Sequence, residues 1–172
     1  MTEFDAAIQT TRFRLAPLTV DDVTHRYLSW FMDPTVRANI SSAKAMNALG
    51  QLRRYISERA NRYDVVFLGI FDKHTSLHVG NIKFEPIDIR YCFAVMGILI
   101  GEADYRGKGV TAEVLGACGH WLQQHRGLTH LILTVHPDHT HAICAYRAAG
   151  FALGCPDTFV PVPGVVTMVK WL

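Results

Sequence analysis

The sequence lacks several features that would assign it to a class at once. No apolar run reaches the roughly 18 residues that a membrane-spanning helix needs. The N-terminal residues include Glu3 and Asp5 and have no apolar segment typical of a secretion signal. The charge is nearly balanced, with 17 basic and 15 acidic residues, whereas nucleic-acid-binding domains are strongly basic as a rule. We therefore expect a cytoplasmic protein that binds neither membranes nor nucleic acid.

Cysteine is also scarce, and its number and spacing give no sign of a disulfide framework. The four cysteines, at positions 92, 118, 144 and 155, form no C-x-x-C pair. A chain of 172 residues of which 49% are hydrophobic buries a core without covalent cross-links. The sequence therefore predicts a single domain over residues 1–172 with reduced, buried thiols.

Hydrophobic periodicity predicts a mixed α/β (α+β) fold. Strands are predicted at 12–15, 65–71, 77–85, 91–100, 131–135, from 151, and at 165–171; helices are predicted at 19–31, 45–61, 109–125 and 142–149. The element order predicts a central sheet of about seven strands, mostly antiparallel, with helices on its faces. The unit from 91 to 135 crosses over through a helix, so its two strands are predicted to be parallel.

A glycine-rich turn connects the strand at 91–100 to the helix that follows it. Its sequence, from Tyr105 to Thr111, is Y-R-G-K-G-V-T. Unpaired amides at a helix N-terminus attract anions, and glycines let a phosphate approach the backbone closely. The turn matches neither the Walker loop nor the dinucleotide fingerprint. It is therefore either a phosphate site or an ordinary strand–helix turn that needs two glycines.

Two motifs give the chain its resemblance to a known family. The turn is similar to the R/Q-x-x-G-x-G/A signature of the GCN5-related N-acetyltransferases (GNAT), with Thr111 replacing the last glycine or alanine. The segment A-I-C-A-Y-R-A-A-G-F, residues 142–151, resembles the family's A/S-I-x-x-Y-x-x-x-G-F, with His139 where the family usually has Asn. The resemblance implies an acetyltransferase whose parallel strand pair splays apart around acetyl-CoA, with no metal.

The resemblance also assigns roles to particular residues. Pantetheine is expected to pair with the backbone of Leu99, Ile100 and Gly101 and to contact His139. Tyr146 is expected to protonate the departing thiolate, and Glu85 is favoured over Asp88 and Glu102 as the base, with a water chain as an alternative. The residues expected to hold the pyrophosphate are Arg106, Gly107, Lys108, Gly109, Val110 and Thr111.

The acceptor amine is predicted from a group of basic residues on the second helix. Arg53, Arg54, Arg59 and Arg62 suit the phosphates of a nucleotide-linked amino sugar, although such a group is also typical of a solvated helix face. Two alternatives stay open, an N-terminal acetyltransferase of ribosomal-protein type and a non-catalytic acyl-CoA-binding module. A dinucleotide-binding domain is disfavoured because antiparallel strands precede the glycine turn. A homodimer is compatible with the sequence.

The sequence also contains a cluster of histidines between the strand at 131–135 and the next helix. His136, His139 and His141 are chemically able to bind a metal. They lie near the positive end of the predicted helix, which disfavours a cation. We therefore predict no metal site here.

Overall fold

A computed structural model describes residues 7–172, apart from the side chains of Ser41 and Ser42. Its strands form one eight-stranded sheet in the order β1-β2-β3-β4-β5-β6-β8-β7. The strands are β1 Ile8–Gln9, β2 Phe13–Pro17, β3 Val66–Asp72, β4 His78–Asp88, β5 Phe93–Ile100, β6 His130–Val135, β7 Ala152–Leu153 and β8 Val166–Trp171. Strands β5 and β6 are parallel and the other neighbours are antiparallel. The mixed, mostly antiparallel sheet is confirmed; β1, with only two residues, is too short to show a strand pattern.

Helices cover both faces of the sheet, as the sequence predicts. They are α1 His25–Trp30, α2 Pro34–Asn39, α3 Leu49–Ser57, α4 Val110–Arg126 and α5 Thr140–Ala148. On one face, buried residues of α4 such as Leu115 and Leu122 join a core with Ile82 and Leu131 of the sheet. On the other face, α1, α2 and α3 enclose a second core that includes Leu99 of β5. No helix in the part of the chain that the structure describes is long and apolar enough to cross a membrane.

Proline explains two differences between the predicted and observed elements. The α-helix predicted at 19–31 is confined to α1, and Pro34 begins the separate helix α2, because proline suits the first helical position. The Asp33 carboxylate caps α2 by accepting a hydrogen bond from the amide of Thr35 at 2.8 Å. A loop was expected from Pro86, but β4 continues to Asp88. The register of β4 against β5 shifts between Phe84 and Ile87, so Pro86 lies outside the hydrogen-bonded ladder.

The cysteines are free, but the expectation of buried thiols is correct only for Cys118. Cys92 is half-buried, whereas Cys144 and Cys155 are exposed. Cys118 is on the inner face of α4, within the core. The exposed pair lies on α5 and in the turn that precedes β8, where no hydrophobic periodicity dictates burial.

Candidate active site

Strands β5 and β6 separate part of the way along their length. Their parallel pairing covers only Phe93–Val95 against His130–Ile132, although β5 continues to Ile100 and β6 to Val135. The amide of Gly101 donates to the carbonyl of Val79 in β4 at 3.0 Å. Because alternate residues of an antiparallel strand present their polar groups to opposite edges, Leu99 and Gly101 pair with β4 and Ile100 faces the gap. Of the three residues predicted to bind pantetheine, Ile100 therefore presents its backbone to the open edge.

The glycine turn lies at the end of β5 and leads directly into α4. Gly107 and Gly109 have φ values of +70° and +72°, a left-handed conformation that other residues adopt at a cost. Within residues 7–172, the amides from Gly107 to Ala112 donate no hydrogen bond to another protein group. The Lys108 side chain is exposed beside them. These amides and the helix dipole form a site suited to an anion.

Two arginine side chains bind the carbonyl groups around this turn. Arg106 donates to the carbonyls of Ile100 and Gly101, both at 2.9 Å, and to the Asp33 carboxylate at 2.9 Å. Its hydrogen bond holds the pKa of Asp33 below the ordinary value. Arg12 donates to the carbonyl of Lys108 at 3.0 Å and forms an ion pair with Glu113 at 2.7 Å. Both arginines thus bind carbonyl groups around the turn and hold it in place. The sequence predicted that Arg106 would hold the pyrophosphate, whereas its side chain is engaged by protein groups.

Tyr146 lies on α5, half-buried and 6.0 Å from the ring of Phe151. Burial raises the pKa of its phenol, so the hydroxyl stays protonated at neutral pH. In the part of the chain that the structure describes, this hydroxyl has no hydrogen-bond partner. A protonated, unpartnered phenol has the properties that a proton donor to a thiolate requires.

His139 is the residue immediately before α5, and its side chain makes no capping hydrogen bond. Partial burial lowers its pKa, and the neighbouring His141 and His136 lower it further. His139 is therefore neutral at pH 7 and can donate or accept a hydrogen bond. Among residues 7–172 no group of three or more His, Cys, Asp or Glu side chains is placed to hold a metal ion.

Glu85, the favoured base, is surrounded by cations. Its carboxylate accepts from Arg59 at 2.8 Å, from Arg62 at 2.8 Å and from Lys83 at 2.7 Å. Burial alone would raise the pKa of Glu85, but the hydrogen bonds from Lys83 and Arg59 outweigh it and lower the pKa. Such a carboxylate is a weak proton acceptor, so its surroundings favour a structural role.

The two other candidate bases also have partners. Glu102 accepts two hydrogen bonds from Arg26, at 2.7 and 2.8 Å, and one from the Trp30 indole at 2.8 Å. The hydrogen bond from Arg26 is the main cause of a lowered Glu102 pKa. Asp88 accepts from the amide of Tyr91 at 3.0 Å, in the turn after β4. Glu85 and Glu102 are thus engaged by cations, whereas the Asp88 carboxylate accepts one backbone amide and pairs with no cation among residues 7–172.

The four arginines of the predicted basic cluster divide into two pairs. Arg59 and Arg62 are bound to Glu85, and Arg62 also pairs with Asp64 at 2.7 Å. Arg53 and Arg54 are exposed, and the guanidinium group of neither has a polar partner in the range 7–172. Arg54 lines an open cavity of about 550 Å³ together with Met46, Gln51, Tyr55 and Glu58, among others. Only this part of the cluster remains available to a ligand.

Sequence reasoning missed three neighbouring residues on the α3 side of the splay. They are Gly97, Lys83 and Tyr55, and we call the surface that they line the groove. Gly97 of β5 is exposed, and a Cβ atom there would meet nothing within 4 Å. Lys83 of β4 is its cross-strand partner, and its ammonium group is 2.6 Å from the hydroxyl of Tyr55 on α3. A glycine inside a strand is the one sequence signal for this groove, because it marks a place where another group comes close to the backbone.

The chain is similar in sequence to one protein family and in fold to several solved structures. The model of the acetyltransferase (GNAT) domain matches residues 12–152. A search of the curated proteins gives no significant match. The similar solved structures include RimL, a ribosomal L7/L12 α-N-protein acetyltransferase in complex with coenzyme A, at a TM-score of 0.82 and 15% identity over 97% of this chain and 98% of that one.

Other solved structures with this fold are acetyltransferases of other descriptions. The microcin C7 self-immunity acetyltransferase MccE, in complex with acetyl-CoA and AMP, has a TM-score of 0.77 and 14% identity over 94% of this chain and 93% of that one. A Vibrio cholerae spermidine N-acetyltransferase SpeG chimera with hSSAT has a TM-score of 0.76 and 14% identity over 94% and 96%. At these identities the likeness shows the fold alone.

The family match covers most of the chain, from β2 through α5. It includes the glycine turn, the splayed strands and Tyr146. The fold of the solved acetyltransferases extends over nearly the whole length of the chain. This chain therefore belongs to the GNAT family of acetyl-CoA-dependent acetyltransferases.

Proposed function

We propose that the protein transfers the acetyl group of acetyl-CoA to the primary amine of a small molecule. The observation that carries the proposal is the run of unbonded amides from Gly107 to Ala112 beside the open edge of β5. These amides bind the pyrophosphate. The Ile100 amide faces the gap and aligns the pantetheine arm, so the thioester lies near Gly97. The Ile100 carbonyl is held by Arg106.

The chemistry is a direct attack of the neutral amine on the thioester carbonyl. The new C–N bond forms, the C–S bond breaks, and the thiolate takes a proton from the Tyr146 hydroxyl. Solvent returns that proton to the phenol. The amine loses its own proton to water, because Glu85 and Glu102 are occupied by cations. Orientation of the two reactants supplies much of the rate gain.

For the acceptor we propose an anionic small molecule such as a nucleotide-linked amino sugar. Fewer arginines support this proposal than the sequence suggested, because Arg59 and Arg62 are engaged by Glu85. Arg54 still has free donors in a cavity of about 550 Å³, and a guanidinium group binds phosphate oxygens in bidentate geometry. The second candidate acceptor is a protein N-terminus, favoured by the likeness to RimL.

The test is a comparison of kcat/KM for a nucleotide-linked amino sugar, the free amino sugar and N-terminal peptides, at low and high salt. We expect the nucleotide-linked sugar to be preferred, and salt to weaken that preference because it screens the phosphate contact. Arg54→Gln should reduce the preference about tenfold, while Arg53→Gln, the matched change outside the cavity, should not. A preference for peptides would replace this acceptor with a protein N-terminus.

A further inference from the structure

Lys83 and Tyr55 form a hydrogen-bonded pair, and each keeps one donor hydrogen that no protein group in residues 7–172 accepts. The Lys83 ammonium has three N–H bonds; one is directed to the Tyr55 hydroxyl at 2.6 Å and one to Glu85 at 2.7 Å. The Tyr55 hydroxyl accepts from Lys83, and its own O–H has no acceptor among residues 7–172. The pair therefore keeps one N–H and one O–H available.

These donors lie in the groove where the acceptor is expected to meet the thioester. Lys83 is directly across from Gly97 in the β4–β5 ladder, and the Cβ atoms of such cross-strand partners are roughly 5 Å apart. Gly97 leaves the floor of the groove open. Tyr55 is fixed on the wall by Phe67, 6.0 Å away, and by Arg59, whose guanidinium lies 3.6 Å from the ring centre.

The charge of this wall is positive. Lys83, Arg59 and Arg62 meet the carboxylates of Glu85 and Asp64, so the network keeps one net positive charge. Both available donors belong to half-buried side chains, where charge-assisted hydrogen bonds are stronger than at a fully exposed surface. An anion is stabilised by this wall, whereas a second ammonium group is repelled.

From this geometry we propose that Lys83 and Tyr55 bind an anionic oxygen, from a carboxylate or a phosphate, close to the acceptor amine. Lys83 is then a specificity-determining residue that favours amines bearing a nearby anion and excludes polyamines. The inference rests on the proposed acetyl transfer and deepens it, because it concerns the immediate surroundings of the reacting amine. Tyr55 also lines the cavity that contains Arg54, whereas Lys83 does not, so variants of Lys83 test this inference separately from the contact proposed for Arg54.

The experiment uses three pairs of primary amines that differ in one anionic group. These are β-alanine with β-alaninamide, O-phosphoethanolamine with ethanolamine, and glucosamine 6-phosphate with glucosamine. Acetyl transfer is followed by thiol release, and binding to the coenzyme A complex is followed by calorimetry. We expect the anionic member of at least one pair to be favoured tenfold or more in both measurements.

Three variants connect that preference to the groove. Lys83→Gln should abolish it, Tyr55→Phe should reduce it severalfold, and Lys83→Glu should instead favour putrescine over n-butylamine. Lys44→Gln is the matched control, because Lys44 is exposed and its side chain has no partner within residues 7–172. Unchanged affinity for acetyl-CoA shows that each variant is folded.

The possible failures are distinguishable. If no amine releases thiol, the proposed function fails, while calorimetry on the same pairs still measures the anion preference. If the members of every pair bind and react alike, or if Lys83→Gln leaves the preference intact, the inference about Lys83 is overturned and acetyl transfer stands.

Discussion

The two halves of the candidate site, as proposed, recognise their ligands by different means. On the coenzyme side, the turn around Gly109 offers backbone amides, and side chains such as Arg12 hold it from behind. On the acceptor side, the groups that face the groove are side chains, above all Lys83 and Tyr55. A backbone site demands glycines at fixed positions and tolerates changes elsewhere. A side-chain site can change its specificity by one substitution without altering the fold.

The largest effect that tests this contrast is expected from Gly109→Glu. The residue at position 109 has φ +72°, which costs a non-glycine residue roughly 1–2 kcal/mol, and the new carboxylate would repel the pyrophosphate. We expect acetyl-CoA affinity, measured by calorimetry, to fall about a thousandfold.

The matched control for that variant is Gly116→Glu. Gly116 is an exposed residue of α4 where an added Cβ meets nothing within 4 Å. This control should bind acetyl-CoA as the wild type does. Equal affinity of the Gly109 variant and the wild type would mean that the pyrophosphate binds elsewhere.

A smaller effect, confined to the chemical step, is expected from Tyr146→Phe. The change removes the hydroxyl and keeps the ring that packs against Phe151. We expect kcat in a single-turnover assay to fall about a hundredfold, a typical contribution of general acid catalysis, with acetyl-CoA affinity nearly unchanged. Tyr63→Phe, at a side chain that is 77% exposed, serves as the control. If both variants retain the wild-type kcat, Tyr146 only packs.

The smallest catalytic effect is expected from Glu85→Gln. If Glu85 is structural, kcat should change less than about threefold, because the amine proton passes to water. The free energy of unfolding should drop by about 2 kcal/mol, since the half-buried Arg59 and Lys83 and the exposed Arg62 lose their shared carboxylate. Denaturant titrations and kinetics of the same preparation provide both values.

The pH dependence of stability gives this prediction a second measurement. Because the pKa of Glu85 is lower in the folded protein, its contribution is present above the unfolded pKa of about 4.3 and is lost as pH falls through the folded pKa. The variant should lack that part of the acid destabilisation, whereas Glu58→Gln, at an exposed residue, should retain it. A large loss of kcat with unchanged stability would make Glu85 the base.

The coenzyme side could be predicted from the sequence because its determinants are local. The two glycines of the turn lie within a few positions of each other, between a clear apolar strand and a clear helix. The groups that hold the turn are not local, since Arg12 reaches Lys108 from 96 positions away. Nothing in a single sequence indicates such a contact.

On the acceptor side, by contrast, most determinants are far apart in the sequence. The four arginines in and just after α3 form a visible basic cluster. Glu85, which binds the two that follow the helix, lies 23 to 26 positions later. Tyr55 and Lys83 are 28 positions apart, and only the register of β4 with β5 places Lys83 across from Gly97. The sequence therefore predicted that four arginines would contact a nucleotide, whereas the fold leaves only Arg53 and Arg54 of the four without a carboxylate partner among residues 7–172.

The separation of β5 from β6 also bears on how the protein avoids aggregation. A strand edge with unused hydrogen-bonding groups can template the addition of another chain. Here the open edge lies inside the sheet, with β6 on its far side and α4 across one face, instead of at the margin. An added β-strand would need room in the gap for its side chains on both faces of the sheet, whereas a thin, flexible chain such as pantetheine needs little room. The gap proposed to hold the coenzyme thus keeps an exposed strand edge away from other protein molecules.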